Sequence, residues 1–278
     1  MAGMMESNLN YSRLKKVRIL VCLLILYSGS SIGQDFAEVR TISTELPHLV
    51  STDKKGNIYV SHANGAINQY NTDGDLLNHY SPVKPSEATL VEAWNPLKIF
   101  VFYRDFQEYV FLDRFLTTAS RFSFAEISSY VGLATISADN NLWLIDYSEF
   151  RLKKYDVNLQ QVTIERPLDL VLDPDEYDLT FMREYQNLLF LADRNRGVLM
   201  FDNLGNYLRL LSTDQLDYFS FNKNELYFAN HQSLGFIDIY TGKKRNVDLP
   251  KSTSFGIITE QGVALISKEG ISIFLKNE

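Results

Sequence analysis

The sequence predicts an all-β fold: a six-bladed β-propeller closed by an N-terminal strand. Three observations carry this expectation. A strand phrase returns six times, turn residues separate its copies, and a spare strand at the start matches a missing one at the end. The phrase reads Asn57-Ile58-Tyr59-Val60, Lys98-Ile99-Phe100-Val101, Asn141-Leu142-Trp143-Leu144, Leu188-Leu189-Phe190-Leu191, Glu225-Leu226-Tyr227-Phe228 and Gly262-Val263-Ala264-Leu265. From Ile58 through Ile99, Leu142, Leu189 and Leu226 to Val263 the steps are 41, 43, 47, 37 and 37 residues. In an all-strand chain such a period marks propeller blades, each a four-stranded sheet unable to bury its faces alone.

Each unit divides into four strands, with the repeated phrase second. The third strand carries an apolar residue followed three places later by an aromatic, as in Ile67 and Tyr70, Leu152 and Tyr155, Val198 and Phe201, and Ile271 and Phe274. In unit five Phe236 precedes Ile239-Tyr240, and in unit two residues 107–115 supply this strand. Turn chemistry follows, as Asn71-Thr72-Asp73-Gly74, Asp202-Asn203-Leu204-Gly205 and Thr241-Gly242. A more polar fourth strand, such as 76–80 or 161–164, suits an outer edge that meets solvent. The last unit offers strands at 255–259, 263–267 and 271–275 and lacks its fourth. Residues 36–43 are expected to fill that place, which removes two exposed sheet edges together.

The first 33 residues read as a secretory signal peptide: basic Arg13, Lys15, Lys16 and Arg18, an apolar run 19–27, then small residues 28–33. Cleavage is expected before Gln34, leaving a propeller over 34–278 and no integral membrane span, because the apolar run is too short to cross a bilayer. The only cysteine, Cys22, lies inside the leader, so no disulfide is expected in the exported chain. That usage points to a bacterial periplasm or surface. The whole-chain net charge of −7 becomes −10 without residues 1–33, with 23 basic against 33 acidic residues. Such a surface repels phosphate backbones, so nucleic acid is not an expected partner.

Unit four, NLLFLADRNRGVLMFDNLGN (Asn187 to Asn206), resembles the NHL-type repeat, with Phe190, Leu191, Ala192, Asp193, Phe201, Asp202 and Gly205 at its marked places. Unit one has the same frame with His62 in place of the first Asp, and unit three keeps Asp146 and Tyr155-Asp156. The resemblance implies a six-bladed propeller of the bacterial exported type. It implies no particular activity, since related propellers serve as binding platforms, lyases and lactone hydrolases.

The expected site is the mouth of the central channel, where first strands begin. Tyr130, Tyr177, Tyr218 and Phe255 precede or open the first strands of four successive units, joined by His48, Asp178, Asp217 and Ser254. Aromatics with a few polar groups in a concavity form a binding surface; the competing reading is packing between blades. Asp146, Asp193, Asn230 and His62 share one place after the repeated phrase and are expected to bond turn amides. The acidic stretch 168–178 has carboxylates but lacks the glycine and terminal glutamate of an EF-hand loop, and reads as a solvated connection.

No nucleophile elbow, phosphate loop or His-x-His pair occurs, and no catalytic residue, metal or cofactor is assigned. The expected function is a non-enzymatic scaffold for a protein partner, within an envelope complex. One alternative is a lactonase-like metal-dependent hydrolase or lyase using His48, Glu87, Asp178 and Asp217 at the channel. The other is a glycan- or small-ligand-binding propeller.

Overall fold

The computed structural model describes residues 36–276 apart from 118, 214, 231, 260 and 261, so the expected leader with Cys22, its expected cleavage point and His231 lie outside the described residues. Six four-stranded antiparallel sheets form the blades of a propeller. Strand β1 (Phe36–Ile42) comes first in the chain but belongs to the last blade. Blade 1 contains β2 (Leu49–Thr52), β3 (Ile58–Ser61), β4 (Ile67–Tyr70) and β5 (Leu76–Tyr80). Blade 2 contains β6 (Leu90–Glu92), β7 (Ile99–Tyr103), β8 (Glu108–Leu112) and β9 (Ala119–Ser123). Blade 3 runs through β10 (Val131–Ile136), β11 (Leu142–Asp146), β12 (Arg151–Asp156) and β13 (Gln161–Pro167). Blade 4 has β14 (Leu179–Tyr185), β15 (Leu188–Asp193), β16 (Gly197–Phe201) and β17 (Tyr207–Leu211). Blade 5 has β18 (Ser220–Asn222), β19 (Glu225–Asn230), β20 (Ser233–Asp238) and β21 (Lys244–Asp248). Blade 6 joins β22 (Phe255–Ile258), β23 (Gly262–Ser267) and β24 (Gly270–Lys276) to β1. No described helix is long and apolar enough to cross a membrane.

The register explains the repeated phrase. The anchor of each second strand faces an apolar or aromatic residue of the third: Ile58 and Tyr70, Ile99 and Leu112, Leu142 and Tyr155, Leu189 and Phe201, Leu226 and Ile237, Val263 and Phe274. All six anchors are buried, so the repeat records one cross-strand pair held inside every blade. In blade 5 the partner is Ile237 rather than Ile239, which lies past the strand end. Strand three of blade 2 starts at Glu108, not Gln107, because a 3₁₀ turn over Arg104–Phe106 leaves Gln107 left-handed at φ 51°. Its side-chain amide then pairs with the backbone of Val131, where Nε2 donates to the carbonyl at 3.0 Å and Oε1 accepts the N–H at 2.7 Å. That bond pair fastens blade 2 to blade 3.

Aromatics fill the spaces between blades. Tyr185 and Phe221 stack at 4.2 Å, and Phe181 meets Phe219 edge-on at 5.0 Å, both between blades 4 and 5. Such pairs contribute about 0.5–1.5 kcal/mol each beyond their buried area.

The ring closes as the strand count requires. Strand β1 pairs antiparallel with β24 from Phe36 opposite Lys276 to Ile42 opposite Ile271, with a bulge between Glu38 and Arg40. The bulge bends the outermost strand of the sheet, a common way to blunt an edge. At the β23–β24 turn Gly270 has φ +125°, and a Cβ there would lie 2.2 Å from the Ile42 carbonyl oxygen. Gly270→Ala is therefore expected to cost about 1–3 kcal/mol. Deleting residues 36–43 should lower the thermal midpoint further and broaden the transition followed by circular dichroism. An unchanged midpoint on deletion would contradict closure by β1.

Candidate functional site

First strands run from one channel mouth to the other, so their starts meet at one end. A concavity of about 490 Å³ opens there, lined from blades 1, 2, 4, 5 and 6. It brings together His48, Asp178, Asp217, Tyr218 and Phe255 of the expected site, together with Glu87. Tyr218 packs on Phe181 at 4.7 Å and meets Phe255 edge-on at 5.3 Å. Burial pushes the Tyr218 phenol well above its ordinary pKa, which keeps it neutral.

Tyr130, Tyr177 and Ser254 do not line this concavity. Tyr130 lies 6.1 Å from Tyr147, which in turn lies 5.6 Å from Tyr177, and Tyr177 packs on Phe150 at 5.0 Å. These two tyrosines join an aromatic row beside the mouth instead of a continuous ring around it. Gly132 explains the offset. Its missing side chain leaves the space taken by the Tyr147 ring, which a Cβ would meet at 2.3 Å.

Five of the charged or titratable groups at the mouth pair with one another, while Arg104 and Asp105, which also line it, have no ion pair among the described residues. His48 Nε2 lies 2.6 Å from Glu87 Oε1. Arg194, on the turn between β15 and β16, donates from Nε to Asp217 Oδ1 at 2.7 Å and from Nη1 to Asp178. The two aspartates hold its pKa above the ordinary arginine value, the Asp217 hydrogen bond foremost. The guanidinium lies between the two carboxylates. The set His48, Glu87, Asp178 and Asp217 thus divides into a His–Glu pair and an Asp–Arg–Asp cluster, and no trio of His, Cys, Asp or Glu among the described residues converges as a metal site.

The polar residues after the repeated phrase act mainly in turns. Asp146 Oδ1 accepts from the N–H groups of Ser148 and Glu149 at 2.9 and 3.1 Å, and Asp193 Oδ1 from those of Asn195 and Asp178 at 3.0 and 3.2 Å. His62 Nε2 lies 3.2 Å from Asn68 Nδ2, while Asn230 is exposed. In the 168–178 connection Asp173 accepts from Asp175 N at 3.0 Å, a turn bond of its own.

Deeper in the channel lies a pair that the sequence reading did not single out. Arg183 of β14 grips Glu92 of β6 with two bonds, Nε to Oε2 at 2.8 Å and Nη2 to Oε1 at 2.9 Å, and reaches Ser220 of β18 from Nη1 at 3.3 Å. Both charged side chains are buried. Burial opposes the guanidinium charge, and the Glu92 carboxylate outweighs it, holding the arginine pKa above its ordinary value. Three blades are tied across the axis by one side chain.

No family model and no curated protein matches the chain. Solved structures similar in fold include the extracellular domain of the putative one component system BT4673 from B. thetaiotaomicron, at TM-score 0.55 and 14% identity over 82% of this chain. The match spans only 32% of that chain. Virginiamycin B lyase from Staphylococcus aureus aligns at TM-score 0.54 and 12% identity, covering 87% of this chain and 88% of the lyase. BamB from Moraxella catarrhalis aligns at TM-score 0.52 and 8% identity, covering 87% and 100%. At these identities the likeness shows the propeller fold.

Removing one member of the buried pair strands the other. Arg183→Met should lose about 3–5 kcal/mol in urea denaturation, while Arg183→Met combined with Glu92→Met should recover most of it. A double variant as unstable as the single would sink this account of the channel. Asp146 gives the acid dependence. Burial would raise its pKa, but Lys153 Nζ at 2.8 Å and the turn donors outweigh that and hold it below the ordinary carboxylate value. Its stabilisation is complete above the unfolded carboxyl pKa and is lost as pH falls through the folded one. Urea midpoints should therefore drop below about pH 5, with a shallower acid limb for Asp146→Asn.

Proposed function

We propose that the protein is an exported, non-enzymatic propeller that serves as a protein-interaction scaffold in the cell envelope. Its docking face surrounds the His48–Glu87 mouth. One observation carries the reading: four successive connections into first strands each place a large apolar side chain in solvent on that face. These are Leu46, Val83, Tyr130 and Leu170, with Val83 95% and Leu170 78% exposed. Scattered apolar side chains are ordinary on any surface, but here one recurs in the same connection of consecutive blades. Exposed acids surround them: Glu45, Glu87 and Glu126, and then Asp169, Asp173, Asp175 and Glu176 from one connection. The complementary partner has apolar knobs within a basic surround.

Export is supported by the basic–apolar–small order of residues 13–33. Structural likeness to an extracellular domain and to BamB accords with an envelope setting. The lyase shares the fold as well, and fold alone does not choose a function. Arg194 weighs against the metal-dependent alternative, since Asp178 and Asp217 are already engaged by it.

The reading is tested with a photo-crosslinking residue at Val83 or Leu170, and at Leu204 on the opposite face as control. Val83 and Leu170 should capture the same envelope protein, and Leu204 should not. Binding of the captured partner should weaken with salt and with Leu46→Ser, Val83→Ser and Leu170→Ser combined, by about tenfold or more. Equal capture from both faces, or none from either, would remove the proposal.

A further inference from the structure

The channel end opposite the His48–Glu87 mouth opens into a second concavity of about 530 Å³. It is built where first strands end, from the connections that begin at Asp53, Ala93, Ser137 and Gln186. Trp94 lies at its edge, 47% exposed, with the Lys54 ammonium 5.6 Å from the ring centre. Lys98 holds its ammonium 4.0 Å over Phe111, and burial lowers its pKa.

The charge balance here is unusual for an acidic chain. The nearby carboxylates bond groups other than the two lysines, Glu92 and Asp139 to cations and Glu184 and Asp53 to neutral donors that leave their charge in place. Glu92 is gripped by Arg183. Glu184 accepts from Trp143 Nε1 at 2.6 Å and Ala138 N at 2.9 Å, Asp139 pairs with Lys154 at 2.7 Å, and Asp53 accepts four bonds within its own turn and from Tyr59. Lys54 and Lys98 have no carboxylate at ion-pair distance among the described residues. The side-chain amide nitrogens of Asn95 and Asn140, which also line the concavity, have no hydrogen-bond partner among the described residues. Two lysines, an aromatic face and two asparagines with free amide donors line a space large enough for a small molecule.

We propose that this concavity binds a small organic anion built on a ring, of the class of sugar acids and sugar phosphates. The ring packs against the Trp94 indole, and Lys54 and Lys98 hold the anionic group. The Asn95 and Asn140 amides donate to the ring's oxygens. A neutral sugar would leave the two ammonium groups without a counter-charge, so the site selects against it. The site lies on the face opposite the proposed protein-docking surface and stands independently of it.

The experiment is a titration of the full-length protein with glucuronate, glucose 6-phosphate and glucose, read by tryptophan fluorescence and by ligand-detected NMR. Trp94 is the exposed indole at the site, whereas Trp143 is buried and reaches it only through Glu184, so Trp94→Phe should remove most of the fluorescence response. At least one of the two anions should saturate the response with Kd of about 1 mM or tighter. Which one responds identifies the carboxylate or the phosphate as the preferred group. Lys54→Met and Lys98→Met should each weaken binding about tenfold. Leu46→Ser, Val83→Ser and Leu170→Ser together should leave it unchanged. The proposal is overturned if neither anion saturates below about 10 mM, if glucose binds as well as they do, or if the lysine variants bind normally.

Discussion

A ring of sheets holds together only if its two ends meet, and here one strand makes the junction in two directions. Through its backbone β1 completes blade 6 beside β24. Through its side chains it seals blade 1. Ile42 packs into a core cluster that includes Val50, Ile58 and Tyr70 of blade 1 and Ile257, Ala264 and Ile273 of blade 6. Arg40 bonds Asp75 at 3.0 Å and the Asp73 carbonyl at 2.6 Å, both on the β4–β5 turn. Hydrogen bonding and burial therefore depend on the same segment. Loss of β1 would expose the edge of blade 6 and open the apolar seam against blade 1 in one event, which makes closure cooperative.

Closure leaves a central axis toward which side chains from six first strands converge. The Glu92–Arg183 pair occupies it. Compared with well-packed apolar side chains, a buried ion pair adds little net stability, because desolvation offsets most of the attraction. Its contribution is geometric. A bidentate guanidinium accepts one arrangement of carboxylate, so blades 2 and 4 are held in one relation although blade 3 separates them in the chain. Ser220 extends the constraint to blade 5.

The repeats were legible because they record local physics. An anchor and its cross-strand partner lie about a dozen residues apart on one hairpin, and in every blade an apolar anchor faces an apolar or aromatic partner. The mouth was partly legible, since residues at the starts of first strands must meet there. What escaped depended on side-chain direction and on long-range pairing. Bulges between Val131 and Leu133 and between Leu179 and Phe181 shift the facing of the residues at these strand starts, and Tyr130 and Tyr177 turn away to Tyr147. Arg194 lies on a second-to-third-strand turn, where its approach to Asp178 and Asp217 follows from the blade arrangement and from no local pattern. Glu92 and Arg183 are 91 residues apart. Their one local trace was a charge directly after apolar residues of an inner strand, Leu90-Val91-Glu92 and Phe181-Met182-Arg183. A charge so placed implies a partner, because an unpaired one would be too costly to bury.

The two ends of the channel differ in how their charges are settled. At the first mouth carboxylates outnumber their local cations, and Arg194 and His48 are shared among them. At the second, the carboxylates are bound to other donors, Glu92 and Glu184 to donors of a different blade, and Lys54 and Lys98 are left facing aromatic rings. An aromatic face stabilises an ammonium by about 0.5–2 kcal/mol, less than a desolvated carboxylate or phosphate can supply. These lysines therefore hold unspent attraction for an anion, even though the protein as a whole is acidic and repels one at long range. The two influences act over different distances. Net charge sets the approach and is screened by salt within a Debye length, whereas the lysines act at contact, where screening is weak. Selection at such a site thus rests on close fit to Trp94 and the two ammonium groups, and the acidic surface around it discourages anions that lack that fit.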